Sequence, residues 1–238
     1  MYGVGLVLFA TLLWSCSKYK VIGDYSDDFA RVQAKDGKWG YIDKEKNEVI
    51  PCQYEDVHHF YDGFASVKLS GAYGIIDKSG KEVLPCKYDA IEFFGYEKGL
   101  WRKIKSNGKY GVFDLEKDKE IIPIKYDEID GNILKNNFYD YKEVIKVRLN
   151  NKNGIISDSG IEILPCEYEK IDFFTKNLIM LKSNDKVGFI DWTKKEIIPM
   201  KYDRMMLFNS DSIVMVSGNR VTLFDLTGKV INTGTLTR

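Results

Sequence analysis

The chain carries only five prolines in 238 residues, and all five stand at the same place in a recurring pattern. Pro51, Pro85, Pro123, Pro165 and Pro199 each follow two aliphatic residues: Val49-Ile50, Val83-Leu84, Ile121-Ile122, Ile163-Leu164 and Ile197-Ile198. Three residues beyond each proline comes a tyrosine followed by an acid: Tyr54-Glu55, Tyr88-Asp89, Tyr126-Asp127, Tyr168-Glu169 and Tyr202-Asp203. Eleven or twelve residues before each proline stands a glycine. These are Gly40, Gly74, Gly111, Gly154 and Gly188, separated by 34, 37, 43 and 34 residues. A distance kept over five copies marks a tandem repeat, in which one small unit buries its apolar face only against its neighbours.

The unit reads as β-structure throughout. Alternation in Phe29-Ala30-Arg31-Val32-Gln33-Ala34, and again over Phe64–Leu69 and Val144–Leu149, predicts half-buried strands. A polar turn follows (Asp36-Gly37-Lys38, Asn107-Gly108-Lys109, Asn151-Lys152-Asn153), and a second strand, Trp39-Gly40-Tyr41-Ile42-Asp43, returns from it. The next turn is Asp-x-x-Gly in its cleanest copies, Asp77-Lys78-Ser79-Gly80 and Asp225-Leu226-Thr227-Gly228. There the carboxylate accepts from backbone amides and the glycine supplies positive φ. A third strand is expected to end at the proline, which cannot donate to a ladder. The Tyr-acid-x-apolar stretch then forms a short fourth piece.

The run Lys38-Trp39-Gly40-Tyr41-Ile42-Asp43, then Val49-Ile50-Pro51 and Tyr54-Glu55, resembles the WG repeat family. The resemblance extends over nearly everything after the N-terminal segment and implies a bacterial secreted or surface-associated protein with no single shared activity. Later copies depart from it: Trp39 becomes Tyr73, Tyr110, Asn153 and Val187, and Thr222 takes the last glycine position. The expected fold is all-β, about six units of short antiparallel hairpins in one domain over residues 16–238. Tyr19-Lys20-Val21-Ile22 looks like the end of a unit, and the last copy stops where Pro-x-x-Tyr would come. A strand shared between the termini follows from that reading, so a propeller-like ring is favoured over an open superhelical array.

Residues Val4 to Trp14 form an apolar run ending at Leu13-Trp14-Ser15-Cys16, followed by Ser17, Lys18 and Lys20. The run is too short for a bilayer span, which takes roughly 20 residues, and suits a secretory signal over residues 1–15. Leu13, Ser15 and Cys16 resemble a bacterial lipobox, although Trp14 is bulkier than usual and no Lys or Arg precedes the run. That resemblance implies acylation of Cys16 and a membrane anchor made through lipid alone. The lysines just after it favour an outer-membrane position facing the periplasm, with release as a secreted protein the alternative.

Few residues suggest chemistry. Cys52, Cys86 and Cys166 each follow a repeat proline, where Ile124 and Met200 stand in the other units, so the position reads as an apolar slot. No metal or other cofactor is expected, since there is no Cys-x-x-Cys and the two histidines, His58 and His59, are neighbours that face opposite ways in extended chain. Asp43, Asp77, Asp114, Asp191 and Asp225 recur with the fold, which assigns them to turns and not to catalysis. Balanced charge, 35 basic against 35 acidic residues, gives no reason to expect nucleic acid. The aromatic side chains are the candidates for binding. Trp39, Tyr73 and Tyr110 share one repeat position, whereas Trp101, Phe138, Tyr139 and Tyr141 lie outside the ladder, the last three in the insertion Gly131 to Lys142. The expected function is a non-enzymatic envelope lipoprotein that binds a protein or a glycan; a carbohydrate hydrolase with a carboxyl pair in a central depression and a purely structural spacer are the alternatives.

Overall fold

A computed structural model describes residues 18–94, 100–130, 144–175 and 177–236. Cys16, Phe138, Tyr139, Tyr141 and the rest of the insertion lie outside the described residues. Twenty-four strands are present among the described residues, in six antiparallel sheets of four. The first sheet holds β1 (Tyr19–Ser26), β2 (Phe29–Ala34), β3 (Trp39–Ile42) and β4 (Glu48–Tyr54). The second holds β5 (Asp56–Val57), β6 (Phe64–Leu69), β7 (Ala72–Asp77) and β8 (Glu82–Tyr88). The third holds β9 (Ala90–Phe93), β10 (Trp101–Ser106), β11 (Lys109–Asp114) and β12 (Lys119–Tyr126). The fourth holds β13 (Glu128–Ile129), β14 (Val144–Leu149), β15 (Lys152–Ser157) and β16 (Glu162–Tyr168). The fifth holds β17 (Lys170–Thr175), β18 (Leu178–Ser183), β19 (Lys186–Ile190) and β20 (Glu196–Tyr202). The sixth holds β21 (Arg204–Phe208), β22 (Ser212–Ser217), β23 (Arg220–Asp225) and β24 (Val230–Thr235).

The alternating runs at Phe29, Phe64 and Val144 form strands with the bounds expected, and in β2 the side chains of Ala30 and Val32 are fully buried between Arg31 and Gln33. Three expectations are corrected. The strand carrying the proline does not end there but continues to the tyrosine, as in β4 and β8. The Tyr-acid-x-apolar piece does not close its own unit; it opens the next sheet, since Val57 of β5 pairs with Val67 and Ile91 of β9 with Ile104. Its ladder partner is the hairpin that follows it, and that partner is what defines the sheet. The termini also share no strand: β1 pairs with β2, β24 pairs with β23, and each end of the described chain completes its own sheet.

The Gly–Pro ruler has a steric cause. Trp39 pairs with Tyr54 but Tyr41 pairs with Ile50, so two residues of β3 span four of β4. The same jump recurs at Tyr110↔Tyr126 and Val112↔Ile122, at Asn153↔Tyr168 and Ile155↔Leu164, and at Val187↔Tyr202 and Phe189↔Ile198. The surplus residues, proline among them, make a bulge on the edge strand, where a missing N–H costs little. The bulge presses on the glycine opposite. A Cβ on Gly40 would lie 2.5 Å from the Ile50 carbonyl oxygen, and on Gly188 it would lie 2.7 Å from the Ile198 oxygen and the Met200 nitrogen. No side chain fits there. The residue after the proline fills the hole instead, with Cys86 Sγ 2.7 Å from such a Cβ on Gly74 and Ile124 Cγ1 2.6 Å from one on Gly111. The sixth sheet supplies the contrast: Thr222 replaces the glycine, no proline is present, and Thr222 pairs in plain register with Thr233.

The chain separates into two units, residues 1–87 with the first two sheets and residues 88–238 with the other four. Within the first, one core joins Tyr41, Ile50 and Tyr54 of the first sheet to Val57, Val67 and Ile76 of the second. Within the second, Val112, Ile122 and Tyr126 meet Ile145, Val147 and Ile156. Leu164 and Ile155 likewise meet Ile171, Ile179 and Leu181, and Phe189, Ile198 and Tyr202 meet Ile213, Met215 and Phe224. These four cores each belong to two successive sheets, as expected of units that cannot bury a face alone, while Ala30, Val32 and Ile42 form a smaller one within the first sheet. The repeat tyrosines Tyr54, Tyr88, Tyr126 and Tyr202 are all buried.

Gly188→Ala is expected to destabilise the protein by about 1–3 kcal/mol through overpacking against backbone that has no room to yield. Gly234→Ala, where an added Cβ meets nothing within 4 Å, is the matched control and should change stability little. Urea titration of both variants checks the pair, and equal midpoints would remove the steric account.

Candidate functional site

The recurrent carboxylates are occupied by the backbone. Asp77 Oδ1 accepts from Ser79 N at 2.8 Å, Ser79 Oγ at 2.6 Å and Lys81 N at 3.1 Å. Asp225 does the same with Thr227 and Lys229, and Asp43 accepts from the Asn47 amide at 2.7 Å. The acid after each repeat tyrosine caps the next hairpin: Glu55 accepts from Gly71 N, Asp89 from Gly108 N, Asp127 from Asn150 N, Glu169 from Asn184 N and Asp203 from Gly218 N. These turns place Ser70, Asn107, Asn150 and Asn184 at positive φ, a conformation a capped turn stabilises.

The three aromatics of the shared repeat position take the same place in their sheets. Trp39, Tyr73 and Tyr110 stand at the first or second residue of the third strand, are half-buried, and each sits beneath a cation from the second strand. Arg31 lies 5.9 Å from the Trp39 ring centroid, Lys68 5.2 Å from Tyr73, and Lys103 and Lys105 5.3 and 5.2 Å from Tyr110. Trp39 and Tyr110 also pack on the cores beside them. In the fourth sheet Asn153 replaces the ring and donates through Nδ2 to the Glu169 carbonyl at 2.8 Å. Trp101 was expected at the surface and is instead 4% exposed. Its Nε1 donates to Asp114 Oδ2 at 3.1 Å, and its ring stacks on Phe94 at 6.4 Å. Asp114 is buried, which opposes its ionisation, but the Lys117 ammonium and amide and the Trp101 N–H outweigh burial and hold its carboxyl below the usual range. Trp101 is thus a partner for a buried acid.

Cys52, Cys86 and Cys166 are half-buried free thiols, each pushed up in pKa by burial. His58 and His59 are exposed, and burial of its ring together with Arg31 lowers the pKa of His59. Among the described residues no three His, Cys, Asp or Glu side chains gather in a way that would hold a metal ion.

A depression among the described residues lies elsewhere, in the second unit. It measures about 610 Å³ and is lined by Thr175, Asn177 and Leu178 from the β17–β18 hairpin, and by Asp191, Trp192 and Thr193 from the turn after β19. Ile197 of β20 and Leu226 of the turn after β23 complete it. Its volume is within the range of small-ligand sites. Trp192 is held in place: its ring stacks on Phe173 at 5.5 Å and 19°, and Lys146 Nζ stands 4.9 Å from the Phe173 centroid while donating to the Ile171 carbonyl at 2.9 Å. Asp191 Oδ1 accepts from Thr193 N, Thr193 Oγ1 and Lys195 N at 2.8, 2.6 and 3.0 Å. Those bonds, the Thr193 hydroxyl foremost, hold its carboxyl below the ordinary 3.8. Leu178, Ile197, Leu226 and Trp192 supply the apolar part of the lining and Thr175, Asn177, Asp191 and Thr193 the polar part. Sequence reasoning passed over Trp192 because it occupies an inner position of an Asp-x-x turn, where Lys44, Lys78 and Asp158 stand in other sheets.

The WG containing repeat family matches the chain at residues 16–39, 39–71, 73–110, 154–186 and 188–217. No curated protein sequence matches it. Among solved structures, a eukaryotic initiation factor is similar at 9% identity and TM-score 0.37, over 91% of this chain and 65% of that one. PorZ of Porphyromonas gingivalis, described as a bacterial surface component of the type-IX secretion system, is similar at 10% identity and TM-score 0.32, over 92% and 33%. The Neurospora crassa Pan2 WD40 domain is similar at 11% identity and TM-score 0.29, over 91% and 79%. The chain thus spans less than two thirds of the length of the first two.

Because the Asp191 carboxyl is depressed, the stability it contributes is full above 3.8 and is lost as pH falls through its lower folded value. Asp191→Ala should lower the melting temperature by about 2–4 °C near neutral pH, and the gap should close in acid below 3.8. Melting curves across that range decide it; a gap that persists unchanged in acid would contradict the capping role.

Proposed function

The chain belongs to the WG containing repeat family, and from that membership we propose that it is a non-enzymatic, lipid-anchored protein of a bacterial envelope that holds a protein or glycan on its β-repeat scaffold. The depression at Trp192 carries the reading and favours a glycan. A pyranose offers an apolar face of C–H groups and an equator of hydroxyls. The depression offers the converse, an indole stacked on Phe173 and the aliphatic Leu178, Ile197 and Leu226, with Thr175, Asn177, Asp191 and Thr193 as hydrogen-bonding groups in the same lining. A ring immobilised before binding loses little freedom on contact.

Hydrolysis has less support. Cleavage of a glycosidic bond takes two carboxyl groups with opposed roles. Asp191 is the one acid lining the depression, and its Oδ1 is already engaged by three donors. Anchoring rests on Cys16, the acceptor of the lipobox-like segment, and the balanced overall charge leaves lipid as the means of membrane attachment.

Two outcomes are expected. Titration calorimetry against an oligosaccharide panel should find at least one saturable ligand, with Trp192→Ala weakening it tenfold or more, about 1.4 kcal/mol, while the variant, which loses the Phe173 stack, stays folded at the temperature of titration. A panel without any saturable ligand, or one bound equally by Trp192→Ala, would remove the depression from the reading. Separately, Cys16→Ala should move the protein from the membrane fraction to the soluble fraction, and its retention in membranes would refute the anchor.

A further inference from the structure

Each of the six sheets has two edge strands, and every edge presents a row of backbone groups that its own sheet leaves open. Natural edges are blunted by charge, proline, bulges or brevity, any of which discourages pairing with another chain. Eleven of the twelve edge strands here contain at least one Asp, Glu, Lys or Arg; even the two-residue β5 and β13 carry Asp56 and Glu128. Five of the six fourth strands add a proline.

β24 keeps only one of these protections, a bulge at Ile231 next to the turn, where Leu223 pairs with Asn232 but Phe224 with Val230. Its sequence, Val-Ile-Asn-Thr-Gly-Thr, is uncharged and lacks proline, and all six residues are exposed. From Arg220↔Thr235 to Leu223↔Asn232 it lies in unbroken register on β23. Thr233 stands five residues after the turn glycine Gly228, as Pro85 follows Gly80 and Pro165 follows Gly160, so it occupies the proline position. Its N–H donates to Oδ1 of Asn232, the neighbouring residue on the same strand, at 2.8 Å, and so points away from β23. A side-chain amide is a replaceable acceptor. The open edge is flanked by Val230 and Ile231, 49% and 56% exposed.

We infer that β24 pairs antiparallel with β24 of a second copy of this chain, joining two sixth sheets into one eight-stranded sheet. Charge selects this occupant. Pairing a strand with its own copy about a two-fold axis doubles whatever net charge that edge carries, so single-sign edges such as β5, β13 and β21 would bring like charges together. The uncharged edge brings none. Val230, Ile231, Thr233 and Thr235 are β-branched and suit a pleated, half-covered ladder. A contact of one strand pair is small, so association in the micromolar range is expected, below that of obligate dimers.

Sedimentation velocity of the purified protein from about 1 to 200 μM tests this, a range that brackets the micromolar affinity expected of a small interface. The wild type should pass from monomer to dimer. Thr233→Pro, which restores the missing proline at an outward N–H, and Ile231→Lys, which adds charge to an exposed position, should each weaken dimerisation at least tenfold while the melting temperature holds. Should Thr233→Pro fail to fold, Ile231→Lys decides alone. A wild type that stays monomeric throughout overturns the inference, as does a dimer that survives both folded substitutions, or an edge that takes an extended foreign peptide but not a second copy.

Discussion

Absence of a single atom, the Cβ at Gly40, Gly74, Gly111, Gly154 and Gly188, lets the proline strand of each sheet close over the strand beside it. The approach of about 2.5–2.8 Å that a Cβ would meet at these positions explains why glycine is kept while the residue before it drifts from tryptophan to tyrosine, asparagine and valine. It also explains the nearly constant distance from glycine to proline: the two sit opposite each other at a bulge, and the one extra residue of the third copy falls in the turn between β11 and β12, where it leaves that pairing intact. Where the bulge is lost, in the sixth sheet, glycine and proline are lost together and Thr222 is accommodated.

From that local fit follows the division of labour among the residues. The bulge carries the edge strand on to the repeat tyrosine, which at Tyr54, Tyr126 and Tyr202 is buried in the core shared with the next sheet. The acid after that tyrosine turns back to cap the following hairpin, and the Asp of the next turn caps its own. Cores shared by successive sheets make each unit depend on its neighbour. Most of the recurrent polar and aromatic residues are thereby used up in construction, and ligand chemistry falls to places where the pattern is broken. Trp192, the one aromatic at a turn position where other sheets hold lysine, aspartate or leucine, is such a place, and β24 is another.

The repeat, its strands and its turn chemistry were legible because each depends on local rules: alternation, positive φ at turn residues, and a donor missing at an edge. The assignment of strands to sheets was not. Tyr-acid-x-apolar follows the proline strand in sequence, and nothing local reveals that its hydrogen bonds run forward to the next hairpin, as from Val57 to Val67. The same limit applied to Trp101, whose burial depends on Asp114, a residue that sequence alone assigns to a turn like its counterparts Asp43 and Asp77. The depression escaped notice because it is assembled from one hairpin, one strand and two turns of neighbouring sheets, with Trp192 its one conspicuous residue.

The most direct test of the glycine–bulge fit is hydrogen exchange, followed by mass spectrometry, on a Gly154→Ala variant. An added Cβ there would lie 2.8 Å from the Leu164 carbonyl oxygen. Protection should fall first and furthest in peptides covering β15 and β16, with the sheet of β5–β8 little changed. Protection in β15 and β16 equal to that of the wild type would contradict the account.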